Sequence, residues 1–290
     1  MNIHLAPGKY VIAVSGGVDS MVLLDVLRQL PGVELTVAHF DHGIRPDSAE
    51  DRKLVERIVQ KYGLPFVSEA GNLGASTSEA AARTARYSFL RRVQKQLGAQ
   101  AVVTAHHQDD LLETTIFNLL RGTGRKGLAS LGSHDGLVRP FLHVQKQEIL
   151  TYAQKHHVLW REDSTNQNEA YTRNYIRKNI VPRLGETGKK TLLEHIAQAV
   201  VSNQEIDELL SALVPKNNIG RAWFIALPHA LAREVMATCL RENGVRDFDR
   251  KLLERLVTAA KTAAPGKVAD INKAWILRVE KAYLQISRRA

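Results

Sequence analysis

A chain of 290 residues, 44% hydrophobic and 24% charged, is long enough to bury a sizeable core and to hold two domains. A single cysteine, Cys239, excludes an internal disulfide, a cysteine-based zinc site and any chemistry that needs two thiols. The net charge of +10 favours a nucleic-acid partner, and residues 1–184 and 185–290 share the excess. The opening MNIHLAPGKY has neither a charged n-region nor an apolar h-region, and no run approaches the roughly 18 apolar residues of a membrane span. A cytoplasmic protein with no membrane partner is therefore expected.

Short apolar, β-branched runs at 10–15, 33–40, 64–69 and 99–105 read as strands buried on both faces. Between them, 20–30, 49–63 and 79–98 carry helical periodicity, with capping-box patterns at Asp47/Glu50 and Ser76/Glu79. This alternation predicts an α/β fold, a parallel twisted sheet flanked by helices, with ligands bound beyond the carboxyl ends of the strands. After residue 122 comes a Gly- and Ser-rich loop, then LVRPFLHV, a helix over 146–157 and a polar stretch leading into YIRKNIVPRL. From 185 onward the chain reads as helices, closing on a segment, 273–289, that alternates like a hairpin. The expected division is a domain over 1–184 and a smaller, mostly helical one over 185–290.

The first strand runs into SGGVDS. Two glycines there let the backbone turn its N–H groups toward an anion, and the following helix adds its positive end. Ser15 and Ser20 can donate hydroxyls, with Gly16, Gly17 and Val18 between them. Asp19 tolerates a phosphate only across a cation, which makes it a Mg²⁺ ligand. The Lys of a Walker loop is missing, so the rim is expected to be lysine-free and lined by arginines and acids. After the second strand, Ala38 and Phe40 can border an adenine. His39 and His42 beside Asp41 suit a polar nucleotide loop better than a metal site, for want of a third ligand.

Arg83 and Arg86 fall on nearly one helical face with Tyr87 and Phe89 on the same helix, placed to neutralise phosphate charge. After the fourth strand, HHQDDLLET sets Asp110 and Glu113 three apart. Acids in a first turn can simply cap a helix, but paired carboxylates also bind Mg²⁺ or hold a cationic substrate. Arg173, Arg177, Lys178 and Arg183, interleaved with Tyr171 and Tyr175, suit either a solvated basic helix or an RNA strand.

SGGVDS after an apolar strand resembles the pyrophosphate loop of the N-type ATP pyrophosphatases, with their adenine nucleotide alpha hydrolase-like fold, which cleave ATP between the α- and β-phosphates. HFDHGIR, EAAARTARY, HHQDDLLETTIFNLLRGTGRKGL, RPFL and WREDSTN, with RNYIR and VPRL, follow in order to residue 184. Together they resemble the tRNA(Ile)-lysidine synthetase family. That resemblance implies a ligase that uses ATP and Mg²⁺ to join free L-lysine to C2 of the wobble cytidine (position 34) of a CAU-anticodon isoleucine tRNA. The cytidine is first adenylated; lysidine, AMP and pyrophosphate result, changing codon and aminoacylation specificity from Met to Ile.

The resemblance implies that Ser15, Gly16, Gly17, Val18, Asp19, Ser20, Ala38 and Phe40 bind ATP. Arg86, Asp110, Glu113 and Asp19 would carry the chemistry, and Asp110, Glu113 and Arg177 would hold lysine. Arg121, Arg125, Lys126, Arg173, Arg177 and Lys178 would take tRNA, and a homodimer is implied. The C-terminal domain would add tRNA contacts. Thiolating relatives need cysteines near the loop, and a lone Cys239 argues against them. Amidating synthetases would carry less positive charge, and a relict RNA-binding fold would have lost some of Asp19, Arg86, Asp110 and Glu113.

Overall fold

The structure, a computed structural model, describes residues 1, 3–43, 48–71, 74, 77–129, 131–132, 136–162, 172–215, 218–245 and 248–289. It divides into two compact units, Met1–Ala197 and Gln198–Ala290. The sequence boundary at 184/185 marks the start of one long helix, whereas the division by packing falls inside that helix. Among the described residues, no helix is long and apolar enough to cross a membrane.

In the first unit the order is β1 (Gly8–Ala13), α1 (Val18–Leu27), β2 (Val33–Asp41), α2 (Ser48–Lys61), β3 (Phe66–Ala70), α3 (Glu79–Leu97), β4 (Ala101–Val103), α4 (Gln108–Leu120) and α5 (Arg125–Leu128). Then come β5 (Leu137–Val138), α6 (Lys146–Lys155), α7 (Thr172–Tyr175), a π turn (Ile176–Ile180), a 3₁₀ turn (Val181–Leu184) and α8 (Gly185–Leu213). The five strands form a parallel sheet in the order β3-β2-β1-β4-β5. Side-chain alternation splits its residues between two layers. Tyr10, Ile12, Val37 and Val103 pack with α1, α2 and α6, while Val11, Ala38, Phe40 and Val102 pack with Phe89, Leu90 and Val93 of α3.

Helix α1 is buried nearly all round, from Ser20 to Leu27. It carries one carboxylate inward, Asp25, only 5% exposed. Arg28 Nε and Nη2 donate to it at 3.0 and 2.7 Å, Tyr62 Oη at 3.1 Å and Tyr152 Oη at 2.9 Å. Such a carboxylate is tolerable because donors meet both of its oxygens, and it ties α1 to α6 and to the residue that follows α2.

Helix α3 starts one residue after Ser78, whose hydroxyl accepts the Ala81 N–H. The two expected capping boxes depend on Asp47 and Ser76, which lie outside the described residues. A separate cluster joins Leu111 and Leu112 of α4 to Ile176, Val181 and Ile196, fixing the π turn against α4.

The second unit is less purely helical than its sequence suggests. α9 (Arg221–Ala226), α10 (His229–Glu242) and α11 (Arg250–Thr262) accompany β6 (Ile219–Gly220), β7 (Lys267–Asp270), β8 (Trp275–Val279) and β9 (Tyr283–Arg288). The strands form an antiparallel sheet in the order β6-β9-β8-β7. The expected hairpin is β8–β9, in which Leu277 faces Ile286 and Val279 faces Leu284 over a core with Phe224, Met236 and Leu256. Buried Arg221 donates to the carbonyls of Ala260 and Ala263 at the end of α11. Cys239 lies in this core, and burial pushes its thiol up to about 12, which rules it out as a nucleophile near neutral pH.

Asp25→Ala is expected to cost about 2–4 kcal/mol by orphaning the Arg28, Tyr62 and Tyr152 donors. Chemical denaturation checks this, and a loss under ~0.5 kcal/mol would contradict it.

Candidate active site

The strand order reverses between β1 and β4: the chain leaves β1 toward β2 and β3, then returns on the other side. Helices diverge there, and a crevice opens between the carboxyl ends of the two strands. Ala13, Val14, Ser15, Gly17, Asp19 and Ser20 line it from β1 and α1, and Ala38, Phe40 and His42 from β2. Arg86 and Leu90 of α3 and Thr104, Ala105, His106 and Asp110 from the β4 end complete it.

The loop after β1 is held open by its own side chains. Ser20 Oγ donates to the Gly17 carbonyl at 2.9 Å and accepts the Ser15 N–H at 3.2 Å. Gly16 has φ +99°, in the left-handed region that favours glycine, and Gly17 caps α1 with no side chain to offer. The N–H groups of the first turn are thus left to a ligand. Val14 anchors the loop from behind: its N–H donates to Ala38 O at 3.0 Å, and its carbonyl accepts His39 Nδ1–H at 2.8 Å. Burial lowers the affinity of His39 for a second proton. His39 is therefore a tie between β1 and β2, away from the crevice. Arg161, from the WRED motif, donates its N–H to Gly16 O at 3.0 Å and its Nε–H to Asp51 at 2.9 Å.

Across the crevice, His107 caps α4: its Nδ1 accepts the Asp109 N–H, and its own N–H donates to Asp110 Oδ2 at 2.9 Å. Its Nε2 lies 3.8 Å from Asp19 and 3.6 Å from Asp110. Asp110 therefore both caps the helix and faces the crevice. Arg177 Nε–H donates to Glu113 Oε1 at 2.6 Å, and its Nη2 donates to Glu113 Oε2 at 2.9 Å and Asp110 Oδ1 at 3.3 Å. Glu113 is 3% exposed. Burial raises its carboxyl, the Arg177 guanidinium partly offsetting this. Burial also drives His106 well below its ordinary range, helped by the Arg86, Arg139 and Arg83 guanidiniums, so it stays neutral. Thr104 Oγ1 and His106 Nδ1 share a hydrogen bond of 2.9 Å.

Of the residues expected from the sequence, Ser15, Gly17, Asp19, Ser20, Ala38, Phe40, Arg86 and Asp110 line one crevice. Gly16, Val18, Glu113 and Arg177 are not among its lining residues, though Arg177 reaches Asp110 at its edge. Arg121 and Arg173 meet elsewhere, stacked on the Phe117 ring at 5.2 and 5.3 Å, while Arg125 and Lys126 lie in the short α5 and Lys178 is exposed on the π turn. Tyr171 and the DSTN motif lie outside the described residues. A lysine-free rim is the expectation that fails. Lys146, the first residue of α6, places Nζ on the Asp19 carboxylate. The loop lacks a lysine, and the fold delivers one from α6, which packs with α1 on the same face of the sheet. It also follows a strand end, β5, and that is the signal that marks it in the sequence.

Among the described residues no group of three or more His, Cys, Asp or Glu is arranged to hold a metal ion. A Mg²⁺ taking one or two carboxylates and the oxygens of a bound polyphosphate needs no such group, and Asp19 in the crevice fits that pattern.

The PP-loop domain model matches residues 3–184. The tRNA(Ile)-lysidine synthase of Gloeobacter violaceus is 36% identical over 80% of this chain and 77% of its own length. The chain belongs to the tRNA(Ile)-lysidine synthase family of PP-loop proteins. The synthase of Thermotoga maritima is 44% identical over 63% of this chain and 47% of its own, so the chain spans about half the length of some of the curated relatives it matches. A solved U34-tRNA thiolase from Methanococcus maripaludis, bearing a [4Fe-4S] cluster, shares the fold with a TM-score of 0.57 at 17% identity, over 67% of this chain and 73% of that one. Cys239, the single cysteine of this chain, is buried in the second unit.

Arg177→Ala leaves Glu113 buried without its guanidinium, so its carboxyl rises further above its unfolded value of 4.5. Folding then takes up a proton, and the variant is most stable at acid pH and loses stability as pH rises. The deficit against the parent is expected to be small at pH ~4 and to grow to about 1–2 kcal/mol at neutral pH, discounted for the exposure of Arg177. Denaturation midpoints across that range check it.

Proposed function

We propose that this chain carries the ATP-dependent ligation of lysine to the wobble cytidine of a CAU-anticodon isoleucine tRNA. The observation that carries the reading is the opposition, across one crevice, of a lysine-free phosphate loop and the acid-rich start of α4. The loop N–H groups, Ser15 and Ser20 would hold the polyphosphate of ATP, with the adenine against Ala38 and Phe40. Asp19 would hold Mg²⁺, which when bound supplies positive charge to the pyrophosphate leaving group.

The cytidine C2 oxygen attacks the α-phosphorus, pyrophosphate departs, and the base is left adenylated. Arg86 would face the charge that develops there. Burial weakens its hold on its proton, Arg83 adding to this and Tyr87 opposing it, but a guanidinium keeps it. The lysine ε-amine then attacks C2, and AMP leaves with the C2 oxygen. That amine must first lose a proton; with Asp19 given to the metal, Asp110 is the other carboxylate lining the crevice and would take it. Neutral His106 is a poor base for an ammonium. Arg177 and Glu113, already paired, would set the orientation of Asp110 and offer a guanidinium to the lysine carboxylate. Arg121, Arg125, Lys126, Arg173 and Lys178 are the proposed tRNA contacts, with further ones from the second unit, and a dimer and a cytoplasmic location belong to the same reading.

With labelled lysine, ATP, Mg²⁺ and a CAU-anticodon isoleucine tRNA transcript, label is expected on the RNA. Its absence would sink the proposal. Asp110→Asn should raise the lysine KM by about 10- to 100-fold, the loss of one charge-assisted contact, while ATP binding holds. An unchanged KM and rate would remove Asp110 from the lysine site.

A further inference from the structure

We propose that Lys146 is the pyrophosphate-binding lysine of this site, supplied by α6 in place of the one missing from the loop. The inference rests on reading the crevice as an ATP site. Lys146 Nζ touches the Asp19 carboxylate, and the two side chains are 34% and 30% exposed. An ion pair that open to water is weak and readily exchanged. A polyphosphate arriving on the loop presents a larger negative charge a short reach away, and the flexible four-carbon stem lets the ammonium turn to it. Asp19 is then released as an oxygen ligand.

The position of Lys146 is fixed by packing, not by that contact. Phe141, Ile149 and Ala153 are fully buried in the core that also holds α1. Tyr152 of α6 donates to Asp25 of α1 at 2.9 Å, and Gln108 N–H donates to Val144 O at 3.1 Å just before α6. Gln145 and Glu148 close a capping box around the first turn. The starts of α1 and α6 are thus held side by side, and Lys146 is placed over the first turn of α1.

Lys146 and Arg86 come from opposite layers. Helices α1 and α6 share one face of the sheet, while α3, with Arg86, shares the other with Ala38 and Phe40. This separates their tasks. Arg86 stands with the residues proposed for the adenosine and the α-phosphate. Lys146 stands with the loop that would grip the part of ATP that leaves.

Isothermal titration of pyrophosphate, ATP and AMP, each with Mg²⁺, into the parent chain, Lys146→Met and Lys146→Arg tests this. Lys146→Met is expected to weaken pyrophosphate and ATP by about tenfold or more and AMP by less than about twofold, with Lys146→Arg recovering most of the loss. Pyrophosphate affinity unchanged in Lys146→Met overturns the proposal. So does an equal loss for AMP, which would make Lys146 a strut for the loop. If the parent chain binds none of the three, the reading of the crevice as an ATP site falls, and the role of Lys146 falls with it.

Discussion

A parallel sheet whose order reverses between β1 and β4 cannot cover the space between the carboxyl ends of those strands. Every feature of the site follows from that gap. Chain segments leaving β1, β2 and β4 must turn there, and each turn carries polar groups that the layers of helix cannot bury. Val14 holds the arrangement rigid, with one backbone bond to Ala38 and one from the His39 ring. The loop beyond it can spend its N–H groups on a ligand because its shape is already set by Ser15, Ser20 and Gly17.

Basic and acidic side chains alternate across the gap: Lys146, Asp19, His107, Asp110, Arg177, Glu113, each within ion-pair distance of the next, Arg177 reaching both acids. Neutralising partners let several acids and cations share a small volume without large self-repulsion. Of this string, the carboxylates of Asp19 and Asp110 face the crevice, and each has a cation that a substrate can displace or recruit. The string is a set of exchangeable contacts at its exposed end and a fixed one at Glu113, where burial makes separation costly.

Local patterns made much of this legible in the sequence. Nearly continuous apolar runs marked the four main strands, and polar clusters directly after them pointed to Asp19 and Asp110, while Arg86 was singled out by its helical face and the family resemblance. Pairings between distant segments left no such trace. Nothing around Asp25 announces Tyr62 and Tyr152 as its donors, and nothing in SGGVDS points to Lys146 or to the Arg161 N–H on Gly16 O. His39 looked like a crevice residue because its neighbours are, but one residue along a strand points to the other face. In the second unit, β6 is two residues long and KVAD has no apolar alternation, so a sheet was readable only at its β8–β9 hairpin. The long helix α8 hid the packing boundary because helical periodicity continues through it.

The central claim is that the loop after β1 serves cleavage between the α- and β-phosphates. The direct test is to label ATP at the α-phosphate and, separately, at the γ-phosphate, and to follow both through a single turnover with tRNA and lysine. The account predicts that the α-label appears in AMP and the γ-label in pyrophosphate, in equal amounts. ADP and inorganic phosphate as the first products would contradict it.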